Sequence, residues 1–67
     1  MFENVAIISK KAQKVLDICQ DKGKEGLLII YEDFNQPNQR FDIIKVGDFV
    51  HIASRKNGKY LTVAGNS

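Results

Sequence analysis

The sequence predicts an all-β fold built from a repeated hairpin, and three observations lead to that prediction. Residues 4–18 align without a gap on residues 49–63. In the later segment, Asn57-Gly58 separates two apolar runs, which is a strong hairpin signal. The apolar runs between the two copies are short and bounded by Gly, Pro, Asn and Asp, as is typical of strands. A period of about 20 to 50 residues indicates supersecondary units that are stacked or arranged symmetrically.

The two copies are offset by 45 positions throughout their length. We therefore predict a single domain, 1–67, with a full repeat at about 2–47 and the start of a second at about 48–67. Six positions carry the same residue in both copies: Val5 and Val50, Ile7 and Ile52, Ser9 and Ser54, Lys11 and Lys56, Lys14 and Lys59, and Leu16 and Leu61.

The first copy, taken alone, also fits a helix. Val5, Ile8, Ala12, Val15 and Cys19 recur at spacings of three and four, which is a helical stripe. The intervening Lys, Gln, Ala and Leu residues are good helix formers. The local pattern therefore leaves the segment ambiguous.

The second copy decides between helix and hairpin. Asn57-Gly58 supplies the positive φ angles of a type I′ turn, here between apolar runs at 49–53 and 59–64. One structure for both copies is more economical than two, so the first copy is also predicted to be a hairpin. Its parts are strand Val5–Ile8, turn Lys10–Gln13 and strand Lys14–Ile18.

The middle of the chain predicts two further strands. Gly23 and Gly26 flank a charged turn, after which Leu27–Tyr31 is a short apolar run. The segment 35–38 (Asn-Gln-Pro-Asn) is a turn cluster. Phe41–Val46 is the next predicted strand, and Gly47-Asp48 ends it.

Length and composition restrict the possible stabilising devices. A chain of 67 residues is at most one small domain, and domains this small have marginal stability. One cysteine excludes an internal disulfide, and one histidine makes a structural zinc site unexpected. Cys19 is interpreted as a small buried apolar residue. Oligomerisation or membership of a larger assembly is the expected source of extra stability.

The charge pattern predicts no nucleic-acid partner. The formal net charge is +2, and acidic residues are interspersed with the basic ones. Basic residues do cluster in each copy, at Lys10, Lys11 and Lys14 and at Arg55, Lys56 and Lys59, but such clusters are usually solvated turns. No run approaches the roughly 20 apolar residues that span a bilayer, and no signal peptide is recognised, so membrane insertion is not expected and the localisation stays open.

Four segments, in order, carry a resemblance to a known family. They are Val15-Leu16-Asp17-Ile18, a polar turn with glycine at 21–26, a strand ending in Tyr31, and Asn38-Gln39-Arg40-Phe41. Together with the period, they resemble one repeat of the ricin-type (QxW) β-trefoil lectins, with Phe41 in place of the usual tryptophan. The resemblance covers nearly the whole chain.

The resemblance implies a β-trefoil, in which three repeats give twelve strands. Six form a closed barrel and six form a cap of hairpins, and closure removes exposed sheet edges. This sequence supplies about six strands, or about one and a half repeats. We therefore expect an incomplete trefoil that is completed by further chain of a larger lectin or by homo-oligomerisation.

The resemblance also implies a carbohydrate-binding module without catalytic activity or cofactor, with galactose-type glycans as ligands. Carried over by residue, Asp17 and Asn38 would bind sugar hydroxyls and Tyr31 would stack on the pyranose, while Gln39 and Phe41 would be structural. A carboxylate accepts strong hydrogen bonds, an amide donates and accepts, and a ring offers apolar area at a low entropy cost. Each of the three sugar-binding candidates also has a structural interpretation: Asp17 as the end of a strand, Asn38 as a turn residue and Tyr31 as a core ring.

Two departures from the family pattern affect the expected site. Ile29 stands where the family often has a glutamine that contacts the ligand. Thr62 stands where Asp17 stands in the first copy, so we predict no complete site in the second copy.

Two other functions stay open. The first is a structural or protein-interaction module that keeps the scaffold without binding sugar. The second is a small nucleic-acid-binding barrel, because residues 46–50 (VGDFV) also resemble the opening of some SH3-like barrels. An enzyme is not expected, because the sequence shows no paired acid and base, no metal-ligand spacing and no phosphate-binding loop.

Overall fold

The computed structural model describes residues 1–61, and its regular elements are strands. Within these residues there is no α-helix, so the all-β prediction is confirmed and the helical alternative for the first copy is wrong. In the same range, no helix is long and apolar enough to cross a membrane. The elements are β1 (Phe2–Val5), β2 (Ile8–Ser9), β3 (Lys14–Ile18), β4 (Leu28–Tyr31), a 3₁₀ turn (Pro37–Gln39), β5 (Phe41–Val46) and β6 (Phe49–Ser54).

The strands form two antiparallel sheets of three. One sheet has the order β1-β5-β6 and the other has the order β2-β3-β4. The 3₁₀ turn packs against β3 of one sheet and β6 of the other. The turn therefore lies where the two sheets meet, and this position brings its side chains to the candidate site.

The predicted single strand Val5–Ile8 is wrong, because the chain changes sheet within it. Val5 pairs with Phe41 in one sheet, whereas Ile8 pairs with Val15 in the other. The register shifts between Phe2 and Val5, and Asn4 has a φ of 56°. An extra residue in a strand bends it, and asparagine tolerates the left-handed conformation better than most residues.

The hairpin loops of the two copies have the same backbone geometry. The Gln13 N–H donates to the Ser9 carbonyl at 2.8 Å, and the Gly58 N–H donates to the Ser54 carbonyl at 2.7 Å. Gln13 and Gly58 each have a positive φ, of 59° and 73°. Each loop therefore has four residues and ends in a left-handed residue.

The predicted type I′ turn at Asn57-Gly58 is wrong. Only Gly58 of the pair has a positive φ, whereas a type I′ turn needs both. The Asn57 side chain instead accepts a hydrogen bond from the Lys59 N–H at 2.9 Å. Asparagine here closes a local Asx-type turn rather than supplying a left-handed backbone.

Strand pairing in the two hairpins also follows the repeat. The equivalent bonds are Leu16 N–H to the Ile7 carbonyl at 2.9 Å and Leu61 N–H to the Ile52 carbonyl at 2.8 Å. Ile8 pairs with Val15 as Ala53 pairs with Tyr60. The predicted strand at 59–64 is present only as this bridge, and residues 62–67 lie outside the described part of the chain.

The buried interior is small and partly polar. Its apolar members are Val15, Cys19, Phe41 and Ala53. Its polar members are Asp17, Asn38, Gln39 and Ser54, which are as well buried as the apolar ones. Buried polar groups need hydrogen-bond partners, so the polar part of the interior must form an ordered network.

Candidate functional site

Strand alternation places Asp17 on the inner face of β3. Val15, Asp17 and Cys19 are buried, and the intervening Leu16 and Ile18 are only half-buried. Successive side chains of a strand point to opposite faces, so the three buried residues share one face. The one acidic residue of β3 is therefore turned inward.

Strand β4 supplies the neighbouring side chains. Ile29 lies directly across from Asp17, and Tyr31 lies across from Val15. Residues opposite each other in an antiparallel pair have Cβ atoms about 5 Å apart on the same face. Ile29 and Tyr31 are thus placed beside the Asp17 carboxylate.

The 3₁₀ turn delivers the two amide side chains. Pro37 opens the turn, where its fixed φ is compatible with a helical start and its missing N–H costs nothing. Asn38 and Gln39 follow and are buried. The turn closes through the Gln39 N–H, which donates to the Gln36 carbonyl at 2.8 Å.

Both amides donate to Asp17, and each donates to a different oxygen. Asn38 Nδ2 lies 3.0 Å from Asp17 Oδ1 and 3.0 Å from the Ile18 carbonyl oxygen. Gln39 Nε2 lies 2.9 Å from Asp17 Oδ2 and 2.6 Å from the Glu32 carbonyl oxygen. These contacts join β3, the end of β4 and the 3₁₀ turn into one network.

The remaining hydrogen-bonding capacity of Asp17 and Asn38 is to accept. A carboxylate has about four lone-pair positions, and the two amides occupy two of those on Asp17. Both hydrogens of Asn38 Nδ2 are used, so Oδ1 is the atom that this side chain can offer to a ligand. Reversing the Asn38 amide would place its oxygen against two other acceptors, so its orientation is fixed.

Gln39 also holds the loop that follows β4. Its Oε1 accepts from the Phe34 N–H at 2.9 Å and from the Gln36 N–H at 3.3 Å. The Asp33 carboxylate accepts from the Asn35 N–H at 2.8 Å, and Asn35 has a φ of 57°. The loop backbone between β4 and the 3₁₀ turn is thereby fixed at several points.

An ion pair completes the attachment of this loop. Arg40 Nη1 and Nη2 each donate to one oxygen of the Asp33 carboxylate at 3.0 Å. The hydrogen bond from Arg40, followed by that from the Asn35 N–H, lowers the pKa of Asp33 from its usual value of 3.8. Bidentate geometry is among the stronger forms of a carboxylate–arginine contact.

The candidate sugar residues line one pocket, which has a volume of about 230 Å³. Asp17, Asn38 and Gln39 form its polar floor, whereas Ile29, Tyr31 and Phe34 form an apolar wall. Asp17 is only 5% exposed, so it is accessible through a small opening, whereas Tyr31 is about half exposed. Phe41 is fully buried and does not line the pocket.

Five lining residues were not predicted to be at the site: Cys19, which was expected only in the core, and Gln20, Asp21, Phe34 and Gln36. Phe34 carried one usable signal, since it is a large aromatic residue inside a polar loop. Gln20, Asp21 and Gln36 carried none, because they look like ordinary turn residues.

The second copy offers no comparable arrangement among the residues described. Tyr60, at the position of Val15, is exposed, and its ring meets His51 edge-on at a centroid distance of 4.7 Å. His51 is half-buried. Thr62, at the position of Asp17, lies outside the described residues.

A second ion pair attaches the second hairpin to the sheet. Arg55 Nη1 donates to both oxygens of Asp42, at 3.1 and 3.0 Å. The Asn4 N–H donates to Asp42 Oδ1 at 2.9 Å. The Asn4 N–H, followed by Arg55, lowers the pKa of Asp42 from its usual value of 3.8.

In residues 1–61, no three His, Cys, Asp or Glu side chains are placed to hold one metal ion. The site as built consists of a buried carboxylate, two buried amides and an apolar wall. Such a surface can bind a polar ligand that also has an apolar face, because it combines fixed acceptors with exposed rings.

Comparisons with known proteins support one family. A family model described as ricin-type beta-trefoil lectin domain-like matches residues 3–67. Searches of curated proteins and of solved structures each found no significant match.

Proposed function

The chain belongs to the ricin-type β-trefoil lectin-like family, and we propose that it is a carbohydrate-binding module that catalyses no reaction. Domains of this family are generally non-catalytic. The observation that carries the proposal is the meeting of Asp17, Asn38 and Tyr31 in one pocket, although they come from three separate segments of the chain. The sugar would bind in this pocket of the full repeat, at about 2–47, within a single partial trefoil domain.

Each of the three residues has a role that follows from its chemistry. The spare lone pairs of Asp17 and the Oδ1 of Asn38 would accept hydrogen bonds from sugar hydroxyls. Tyr31 would cover the apolar face of the pyranose ring, because its own ring is half exposed and has only two side-chain torsions to fix. Gln39 would orient Asp17, and Phe41 would pack the core beneath the site.

We take the ligand class to be galactose-type sugars, and this choice rests on the family resemblance. A single shallow site buries little area, so its affinity would be low. Assembly of several sites would raise the avidity without new contacts. Large exposed apolar residues on the strands, among them Phe2, Phe49 and Val50, support assembly with further copies or repeats.

A titration with a matched control tests the proposal. Galactose and N-acetylgalactosamine are added at millimolar concentrations while the amide signals of Asp17, Tyr31 and Asn38 are followed by NMR. We expect these signals to shift, and Tyr31→Ala to weaken binding about tenfold or more, since aromatic contact area dominates such sites. Tyr60→Ala is the control, because Tyr60 has similar exposure but lies outside the pocket.

Two outcomes would reject sugar binding at this site. One is the absence of any shift at all three signals at millimolar sugar. The other is an equal loss of affinity in the Tyr31→Ala and Tyr60→Ala variants.

A structural or protein-interaction module is the second candidate function. The burial of Asp17 favours it, because both carboxylate oxygens already hold the 3₁₀ turn in place. In that case Asp17→Ala would lower the stability of the domain, and neither the variant nor the parent chain would give a signal on a glycan array.

A further inference from the structure

The wall of the pocket beside Asp17 is apolar where a polar ligand contact would be expected. Ile29 lies directly across from Asp17 and offers no hydrogen bond to a ligand. Tyr31 follows on the same face of β4, and its ring lies 5.9 Å from the ring of Phe34 at an angle of 50°. The three side chains form one continuous apolar surface, here called the apolar wall.

Phe34 is unusual because it is both exposed and held in place. It is 59% exposed, so the fold gains little from burying it. Yet its N–H is bonded to Gln39 Oε1, and its carbonyl oxygen accepts from Gln36 Nε2 at 3.1 Å. The adjacent Asp33 is fixed by Arg40. Because the backbone of Phe34 is already held, no loop has to be ordered when a ligand packs against its ring.

The polar floor restricts which part of a ligand can face the wall. Asp17 and Asn38 Oδ1 accept hydrogen bonds, so a hydroxyl or an amide N–H must point toward them. A substituent beside that donor would lie on Ile29 and Phe34. A bare hydroxyl there would lose its water and gain no partner, which is unfavourable, whereas a methyl group or an aryl ring would be buried favourably.

We infer that Ile29, Tyr31 and Phe34 make this pocket selective for sugars that carry an apolar substituent next to the hydrogen-bonding group, over the bare hexose. The inference rests on the proposed carbohydrate function and adds to it a class of ligand. The substituent could be the methyl end of an acetamido group or the apolar aglycone of a glycoside, because both offer the same chemistry to the wall.

NMR titration of the full chain with three sugars tests the selectivity and distinguishes the acetamido group from the aglycone as its source. The sugars are galactose, N-acetylgalactosamine and phenyl β-galactoside. We expect the acetamido sugar to bind about fourfold tighter than galactose, as follows from burying one methyl group. We expect the phenyl glycoside to bind about tenfold tighter, because an aromatic pair adds to the buried area. Preference for only one of the two identifies the source of the substituent and supports the inference.

Two variants test the wall itself. Phe34→Ala should remove most of the preference, so that the substituted sugars bind less than about twofold tighter than galactose, because the substituent loses an apolar contact. Ile29→Gln should strengthen galactose binding relative to the substituted sugars, since it supplies a polar partner. Phe49→Ala is the matched control, because Phe49 is exposed and lies outside the pocket.

The outcomes distinguish this inference from the function on which it rests. If none of the three sugars binds, the proposed function fails and the selectivity fails with it. If all three bind with equal affinity, or if Phe34→Ala weakens all three equally, the selectivity is overturned while carbohydrate binding stands. The one-dimensional proton spectrum of each variant establishes that it is folded.

Discussion

The two hairpins of the chain have the same backbone and very different surroundings. The first hairpin (β2, the loop 10–13 and β3) and the second hairpin (residues 52–61) close with equivalent hydrogen bonds and left-handed loop ends. Yet Val15 in the first is 3% exposed, whereas Tyr60 at the same position in the second is 54% exposed. The repeat therefore reproduces the hairpin and does not reproduce its burial.

The difference shows that the candidate site depends on what covers the hairpin. The first hairpin is covered by the 3₁₀ turn, whose Asn38 and Gln39 reach the Asp17 carboxylate. Among residues 1–61 the second hairpin has no such cover at Tyr60. A hairpin is thus a scaffold, and the segment that follows it along the repeat turns it into a pocket.

The largest effect is expected from removing the anchor of that cover. Gln39→Ala deletes four contacts, to Asp17, Glu32, Phe34 and Gln36. Leaving buried polar groups without partners costs about 1–3 kcal/mol each when they cannot reach water, so we expect a loss of about 3 kcal/mol in the free energy of unfolding. Urea denaturation measures this loss of stability.

Gln36→Ala is the control for this loss. Gln36 is exposed, and its side chain donates a hydrogen bond to the Phe34 carbonyl oxygen. Its removal should cost less than about 0.5 kcal/mol, as is usual for surface substitutions. Equal losses in the two variants would show that the cover is not anchored by Gln39.

A smaller effect is expected from truncating the equivalent residues of the two hairpins. Val15→Ala removes buried methyl groups and should cost about 2 kcal/mol, including the cavity that it leaves. Tyr60→Ala should cost less, because the Tyr60 ring is more than half exposed and loses only its contact with His51 and nearby side chains. Urea denaturation of both variants measures the difference, and a larger loss for Tyr60→Ala would mean that another molecule covers the second hairpin in solution.

Substitutions at the last residue of each hairpin loop, Gln13 and Gly58, should change the free energy of unfolding by up to about 1 kcal/mol. Gln13 and Gly58 both have a left-handed backbone, which glycine adopts freely and other residues adopt at a cost of about 1 kcal/mol. We therefore expect Gln13→Gly to stabilise the chain and Gly58→Ala to destabilise it, each by up to about 1 kcal/mol. The thermal midpoint checks both signs. The same sign for both variants would show that the two loops are not equivalent in energy.

Much of the fold could be predicted from the sequence, because the signals were local or repeated. The boundaries of Lys14–Ile18 and Phe41–Val46 follow from short apolar runs and turn residues. The hairpin in the first copy could be predicted only because Asn57-Gly58 marks its equivalent. The break between Val5 and Ile8 could not be predicted, because it depends on pairing with strands from two different sheets.

The candidate site was predictable to a lesser extent. The family resemblance indicated Asp17, Tyr31 and Asn38, and these residues line one pocket. Phe34 and Gln36 join them because Gln39 Oε1 accepts from the backbone N–H groups of their loop, and no sequence pattern marks this side-chain contact. Roles in sugar binding remain predictions for all of these residues.

The smallest effect is expected from the two ion pairs, one near each hairpin. Arg40 holds Asp33 beside the pocket, and Arg55 holds Asp42 beside the second hairpin. The hydrogen bond from Arg40 lowers the pKa of Asp33, and those from the Asn4 N–H and Arg55 lower the pKa of Asp42. A carboxylate with a lowered pKa binds its proton more weakly in the folded state than in the unfolded state. Its contribution is therefore complete above the usual pKa of 3.8 and is lost as the pH falls through the lowered value.

At pH 6, the Arg40→Met and Arg55→Met variants should accordingly be less stable than the parent chain. At the lowest pH at which the chain remains folded, their stability should be nearly equal to that of the parent chain. Thermal unfolding at a series of pH values measures the convergence. Arg40→Met should in addition weaken any sugar binding that depends on Phe34, because Asp33 fixes that loop, whereas Arg55→Met should not. A stability difference that stays constant with pH would show that the two arginines act through packing rather than through charge.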